Sequence, residues 1–461
     1  MRSSPSKDPA FAQATKLNQR VFFWSLTSSL AGFLFGFDTV VISGAEKSIQ
    51  SLWELGDLQH GLAMSAALWG TVLGSLVGGW PTDRFGRKTT LLWIGILYLV
   101  SAVWSGMATD VFSFMIARFI GGVGVGISTV AAPLYISEIA PPERRGRLTG
   151  LFQFNIVFGI LIAFASNYVI GSAMQENAWR WMLVVEAIPA LVFTAMCLQL
   201  PSSPRWLIAF QNNGEAAAEV LRQLRPDASE DEVQGLVNEI AESAGDRLSE
   251  TPSTPFWSRR LMTPISIAFL VAFFNQLSGI NAILYFSPRI FELAEMGEQT
   301  ALLQSIGIGV TNLIFTFVGL YLIDRLGRRT LLLIGSAGYI MSLGICSYAF
   351  QSETFSIVPI CIFAFIAAHA MGQGAVIWVL ISEVFPNSHR AAGQSLGSFT
   401  HWIFAALLTL VFPSVVAAFS PAIIFGFFCL MMVLQALWVT CLLPETKGVS
   451  LEQMERQLGI R

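Results

Sequence analysis

Charge is what this chain has least of. Of its 461 residues only 12% are Asp, Glu, Lys or Arg, against roughly 25% in soluble domains. Histidine occurs four times and cysteine five. The cysteines (Cys197, Cys346, Cys361, Cys429, Cys441) all fall inside apolar runs and form no C-x-x-C arrangement. Small apolar packing is their reading; a disulfide framework or zinc site is not suggested. No G-x-x-x-x-G-K-S/T sequence occurs, so ATP-driven chemistry has no phosphate loop. No nucleophile–base set or metal cluster stands out, which argues against an enzyme. The formal charge of −3 gives no basic surface for nucleic acid. The first twenty residues are polar and lack the short apolar core of a signal peptide. The sequon N-x-S/T is absent too, which together with a short connection over 44–59 suits a bacterial source.

What is present is apolar. Residues of the AVILMFWYC set make up 54% of the chain, and mean hydropathy is +0.62. Such a chain must face lipid over most of its surface. Windows of about 20 residues, the length of a bilayer crossing, predict twelve helical spans. Six lie at 22–43, 60–80, 90–108, 112–136, 148–171 and 181–200. Six more lie at 262–291, 301–323, 330–350, 356–382, 393–415 and 420–443. The expected division is an N-terminal segment 1–20, a six-helix bundle 21–200, a helical region 201–260, a second bundle 261–443 and a tail 444–461. The middle region, charged and Ala/Glu-rich, reads as a few short helices, either a tolerated linker or a latch across two halves.

Of the 27 Lys and Arg residues, all but Lys47, Arg118, Arg180 and Arg289 lie in the two termini, the middle region and every second connection. By the positive-inside bias, these segments are expected on the cytoplasmic side of the inner membrane.

The two halves repeat. "DRFGRK" begins at Asp83 and "DRLGRR" at Asp324. "SEIAPPERRG" sets Glu138 seven residues before Arg145, and "SEVFPNSHRAAG" sets Glu383 seven before Arg390. "PSSPR" begins at Pro201 and "PETKG" at Pro444. The offsets are all close to 243 residues. Six spans per half, an even number, makes the halves parallel repeats, an architecture that secondary transporters use with substrate held between the halves. The repeated turns Asp83-Arg84…Arg87 and Asp324-Arg325…Arg328 are expected to gate the basic end, because exposed ion pairs of ~0–1 kcal/mol break easily. Glu138, Arg145, Glu383 and Arg390 are candidates for the same network.

Asp38 falls within the first span and Arg118 within the fourth. A carboxylate at the bilayer centre costs ~2.5–3.5 kcal/mol on insertion scales, and such residues mark ion or proton pathways. Paired with Arg118, Asp38 keeps its charge; released into apolar surroundings, it takes up a proton. That would link protonation to conformation. A permanent structural pair is the blander reading. "GGVGVG" over 121–126 reads as close helix packing rather than a nucleotide loop.

At these motifs the chain resembles the sugar porter family of the major facilitator superfamily. The markers are "GWPTDRFGRK" (79–88), "ARFIGGVGVG" (117–126), "PLYISEIAPPERRG" (133–146), "PSSPRWL" (201–207), "NQLSGINAILYFSP" (275–288), "WVLISEVFP" (378–386) and "PETKG" (444–448), in family order over about residues 20–455. The resemblance implies an all-α fold of twelve transmembrane helices. It implies alternating-access uptake of a monosaccharide by one chain, driven by protons and needing no cofactor; passive facilitation of the same sugars is the alternative, and a non-transporting sugar receptor a further one. Proton-coupled members carry Asp at position 38, and passive facilitators generally carry Asn. A sugar, uncharged and rich in hydroxyls, calls for amides and an apolar ring face. The candidates are Gln153, Asn275, Gln276, Asn281, Asn312, Trp378 and His401. Gln276 and Asn281 flank Ser278-Gly279, where a helix break would free backbone groups. The chain departs from the family at Ser202 (usually Glu), Asn275 (commonly Gln), Ala375 (often Pro) and His401 (Gln or Asn). Histidines at 369 and 401 resemble fructose-type facilitators, which leaves the sugar open between hexose and pentose.

Overall fold

In lipid every backbone polar group must be satisfied within its own segment, so apolar spans fold as helices. The computed structural model describes residues 19–141, 144–174, 176–249, 255–449 and 451–460. The basic residues Arg2, Lys7, Lys16 and Arg461 lie outside it.

The first half contains α1 (Gln19–Val41), α2 (Glu46–Leu52), α3 (Asp57–Val77), α4 (Gly79–Arg84), α5 (Arg87–Met107), α6 (Val111–Ile139), α7 (Arg145–Ala173), α8 (Ala178–Val184) and α9 (Ala187–Cys197). The middle region forms α10 (Pro204–Ala209), α11 (Gly214–Leu224) and α12 (Glu230–Ser249). The second half contains α13 (Met262–Leu277), α14 (Ile280–Tyr285), α15 (Ser287–Leu293), α16 (Glu298–Leu326), α17 (Arg328–Gln351), α18 (Val358–Met371), α19 (Gln373–Val384), α20 (Arg390–Ala418) and α21 (Pro421–Leu442). A short α22 (Leu451–Gln457) closes the described chain.

Among the described residues twelve segments are long and apolar enough to cross a membrane, and they match the twelve expected windows to within a few residues, apart from a six-residue difference where the seventh ends at Tyr285. Three are not continuous. The sixth is α8 plus α9, the seventh α13 plus α14, and the tenth α18 plus α19. Each break falls at a residue with chemistry beside it, as described below.

The middle region is tied at both ends. Ser203 caps α10 and bonds Glu138, and the Trp206 indole donates to the Asp83 carbonyl at 2.7 Å. Phe256 stacks on Phe385 of the second half at 5.8 Å. Between these ties, Ala218, Leu221, Val233 and Val237 form a small core of their own.

The glycine-rich stretch packs α6 against α3. A Cβ on Gly122 would sit 1.8 Å from the Ala67 carbonyl oxygen. Only a hydrogen allows the two backbones to approach this closely. Gly122→Val should therefore force the helices apart at a cost of about 1–3 kcal/mol or more. It should lower the melting midpoint in detergent, whereas Gly146→Val, where nothing lies within 4 Å, should not. Equal melting of the two variants would show that this contact does not hold the bundle.

Candidate transport site

The amides of the second half meet at a helix break. Gly279 takes φ +89°, a conformation that L side chains rarely adopt, and ends α13. Around this break Asn281 Nδ2 donates to Gln276 Oε1 at 2.6 Å, and Gln276 Nε2 donates to Asn275 Oδ1 at 2.9 Å. Gln276 Nε2 also lies 3.1 Å from His401 Nδ1. The Trp378 and His401 rings are 5.3 Å apart. Five candidates separated by up to 126 positions thus form one cluster of donors, acceptors and an indole face. All belong to the second half.

Gln153 and Asn312 are not joined to it. They lie on α7 and α16, one of the helix pairs that pack across the halves. Neither side chain has a partner among the described residues. His369 belongs to a separate buried network behind the cluster: its Nδ1 lies 2.6 Å from the Tyr339 hydroxyl, which also reaches Gln373. Gln373 bonds Gln435, and Gln435 donates to Ser336.

Asp38 and Arg118 form the expected pair. Arg118 Nη1 donates to Asp38 Oδ1 at 2.5 Å and Nη2 to the Asp38 carbonyl at 3.1 Å, with both side chains 2% exposed. Asp38, expected in the middle of its span, lies nearer one end of it. Asp38 stands six residues before Gly44, where its span ends, and Arg118 seven after Val111, where its span begins. At 1.5 Å per residue the pair lies about 10 Å from the span ends opposite the basic turns. The field of the pair reaches the Tyr285 hydroxyl, at the end of α14 in the other half.

Sequence reasoning missed Glu186. It lies beside Asp38 and within reach of Arg118, 1% exposed, at the break between α8 and α9. A lone acidic residue in the apolar run "WMLVVEAIPALVF" satisfies the criterion that singled out Asp38, so the signal was present.

The basic end holds two copies of one device. Arg87 Nη1 donates to the Thr82 carbonyl and to Asp83, both at 3.1 Å, while its Nε and Nη2 grip Glu138. Arg328 Nη1 donates to the Ile323 carbonyl and Asp324, and Nη2 to Glu383 at 2.8 Å. Gly86 and Gly327, both at positive φ, turn the chain just before each arginine. Glu138 and Glu383 thus pair with Arg87 and Arg328. Asp83 and Asp324 are 50% and 81% exposed, so the pairs with Glu138 and Glu383 are the stronger ones. Arg84 is exposed, and Arg325 lies over the Tyr321 ring at 4.0 Å; neither makes an ion pair among the described residues.

The copies differ where Ser202 replaces Glu. At the corresponding place in the second half, Glu445 accepts from the backbone N–H groups of Arg328, Arg329, Thr446 and Lys447. Burial alone would raise its pKa, but these four donors outweigh burial and hold the carboxyl below the usual carboxylate range.

The four basic residues outside the basic end each have a partner. Besides Arg118, Arg180 donates to the carbonyls of Gly106 and Ala108. Lys47 pairs with Glu292, and Arg289 grips the fully buried Glu46 at 2.9 and 2.8 Å and reaches Gln50. His60 Nε2 lies 3.1 Å from the same Glu46. The last two arginine and lysine contacts cross between the halves, whereas the Arg87 and Arg328 pairs stay within one half each. The end opposite the basic turns is therefore the clamped one.

With this geometry in hand, the sugar (and other) transporter family matches residues 24–458. The chain belongs to the sugar porter family of the major facilitator superfamily. It is 33% identical to the arabinose-proton symporter of Bacillus subtilis over 95% of this chain and 94% of the relative. It is also 33% identical to the D-xylose-proton symporter of Escherichia coli, over 94% and 95%. Among solved structures, this porter is similar to the inward open xylose transporter of E. coli with a TM-score of 0.83 and 30% identity, covering 95% of this chain and 99% of that one. Its similarity to that symporter bound to 6-bromo-6-deoxy-D-glucose has a TM-score of 0.77 and 31% identity, covering 96% and 100%.

For this porter the Glu445 anchor gives a pH prediction. Because its pKa is lower folded than unfolded, its stabilisation is complete at neutral pH and is lost as pH falls through the folded value. Glu445→Gln should melt below the parent at pH 7, and the gap should close as pH drops below about 4. A gap that widens on acidification would contradict this account.

Proposed function

We propose that this porter is a proton-coupled monosaccharide symporter. The observation that carries this reading is the buried charge set Asp38, Arg118 and Glu186. Two carboxylates facing one guanidinium leave one negative charge uncompensated, and a buried unpaired charge is costly. One bound proton removes that cost. Movement of Arg118 away from Asp38 would raise the demand for a proton further, so binding of the proton and rearrangement of α1 against α6 are linked. Tyr285 brings the same field to α14, two helical turns or less from Asn281, which ties the charge set to the amide cluster. The named symport activities of the arabinose and xylose relatives support the same reading.

The amide cluster is the sugar site in this proposal. Gln276 shares its donors between Asn275 and His401 and offers its oxygen to Asn281, so a sugar hydroxyl enters by exchanging with a neighbour rather than by meeting a bare amide. Trp378 supplies the flat apolar face. Gln153 and Asn312 complete the site from the α7–α16 side when the halves close. The basic end faces the cytoplasm of a bacterial inner membrane, with both termini there, and the Arg87–Glu138 and Arg328–Glu383 pairs serve as inner gates. Glu46, Arg289, Lys47 and Glu292 form the outer clamp. The bundles run from about 21 to 200 and 261 to 443, with 201–260 linking them. One chain contains every group the cycle needs, so a monomer suffices.

One proton crossing ~150 mV releases ~3.4 kcal/mol, enough for roughly 300-fold accumulation of an uncharged solute. In proteoliposomes offered D-xylose, D-glucose and L-arabinose, Asp38→Asn should abolish gradient-driven accumulation and retain counterflow. Uphill uptake by that variant would favour passive-independent coupling elsewhere and sink the assignment of Asp38; absence of gradient-driven accumulation in the parent protein would point to a passive facilitator. Gln276→Ala and Trp378→Ala should each weaken sugar binding about tenfold, the equivalent of one lost contact of ~1.4 kcal/mol. Unchanged affinity in both would mean the pocket lies elsewhere.

A further inference from the structure

Helix α5 carries a column of buried hydroxyls. Tyr98, Ser101 and Ser105 are 0–1% exposed. They are spaced three and four residues apart, which stacks them on one helix face. None of the three hydroxyls has a hydrogen-bond partner among the described residues, and neither does Oε1 of Glu186. Some buried serines on neighbouring helices are satisfied, while Ser25, Thr27 and Ser43 of the first span also lack a partner among the described residues. Ser128 donates to the Val125 carbonyl, and Ser28 to the Ala132 carbonyl. A buried unsatisfied hydroxyl costs about 1–3 kcal/mol, so a run of them in one place calls for a shared polar partner.

The column starts at the charge set. Ser101 Oγ lies 2.3 Å, and Asp38 Oδ1 3.8 Å, from the point a Cβ on Gly121 would occupy. The Tyr98 hydroxyl lies next to Ser128 and within the fields of Asp38, Glu186 and Arg118. From Ser101 the column runs away from the basic end, because α5 starts at Arg87 and finishes at Met107. Ser105 is two residues from that finish and about 6 Å beyond Ser101. Arg180, stacked on Trp179 at 4.3 Å and bonded to the Gly106 and Ala108 carbonyls, stands at the mouth. The column is enclosed by α5, α6, α8 and α9, all of one half, whereas the clamp made by Glu46 and Arg289 lies between the halves.

We propose that Tyr98, Ser101 and Ser105 line a proton path, separate from the sugar path, from the clamped end of the bundle to Asp38 and Glu186. The hydroxyls hold waters in file. A proton leaves water at the mouth, passes along the file by exchange of hydrogen bonds and arrives on a carboxylate oxygen; the hydroxyls are unchanged at the end. This inference rests on the coupling role of Asp38 proposed above.

The test compares the double variant Ser101→Ala/Ser105→Ala with the parent protein and Asp38→Asn in proteoliposomes, using a mixture of D-xylose, D-glucose and L-arabinose as probe. Counterflow, which needs no net proton movement, should stay within about twofold of the parent. The initial rate of uptake driven by a pH gradient should fall roughly tenfold, the rate equivalent of ~1.4 kcal/mol, and its ratio between H2O and D2O should change. An unchanged gradient-driven rate and isotope ratio, with Asp38→Asn uncoupled, would overturn the path and leave the coupling role standing. Full accumulation by Asp38→Asn would overturn both. Loss of counterflow in the double variant and also in Ser105→Ala alone would assign the column a structural role instead.

Discussion

Two opposite charges withdrawn from water, Asp38 and Arg118, constrain the rest of this molecule. Neither side chain is tolerable at its depth without the other, so α1 and α6 must meet there, and their meeting sets the register of the first half. In the proposed mechanism Glu186 makes the arrangement unstable in a useful way. With a third charge, the set is neutral only when a proton is present. A group of residues that is stable in different geometries with and without a proton is the minimum requirement for coupling a proton to a conformational change.

The opposing ends of the bundle are built on different physics. At the basic end each half carries its own arginine, held by a helix-end carbonyl, an exposed aspartate and a better buried glutamate. These bonds stabilise the two halves separately. At the other end Arg289, Lys47, Glu46 and Glu292 bond across the halves. A porter of this kind alternates by exchanging one set of cross-half contacts for another, and the conformation seen here is the one clamped at the far end. That agrees with its closer similarity to the inward open xylose transporter than to the sugar-bound form. The two halves are not identical in strength. Glu445 anchors the turn before α17 with four backbone donors, whereas Ser202 leaves the matching place to Ser203 and Trp206.

Much of this was legible in the sequence. Span count and limits followed from apolar length, because a bilayer crossing admits few alternatives. Duplication followed from polar motifs that recur at one offset. Asp38, Arg118, Gln276 and Asn281 stood out because polar residues inside apolar spans are costly and seldom idle. The partners did not follow. Arg87 holds Glu138 across 51 positions, and nothing in the spacing of the two signals that pairing. Glu186 carried the same signal as Asp38 and was passed over. The clamp at Glu46 and Arg289 was invisible, since Glu46 looked like an isolated charge in a short connection and Arg289 fell inside the expected seventh span.

The sequence by itself determined class, topology and family, because these depend on quantities that add along the chain: hydropathy, charge placement and repeated motifs. Only the tertiary structure decided which charge neutralises which, which end is closed, and that three hydroxyls on α5 form a column ending at the charge set. Those properties depend on side chains brought together from distant spans, and hydrogen bonding and desolvation act over a few ångströms of space regardless of separation along the chain.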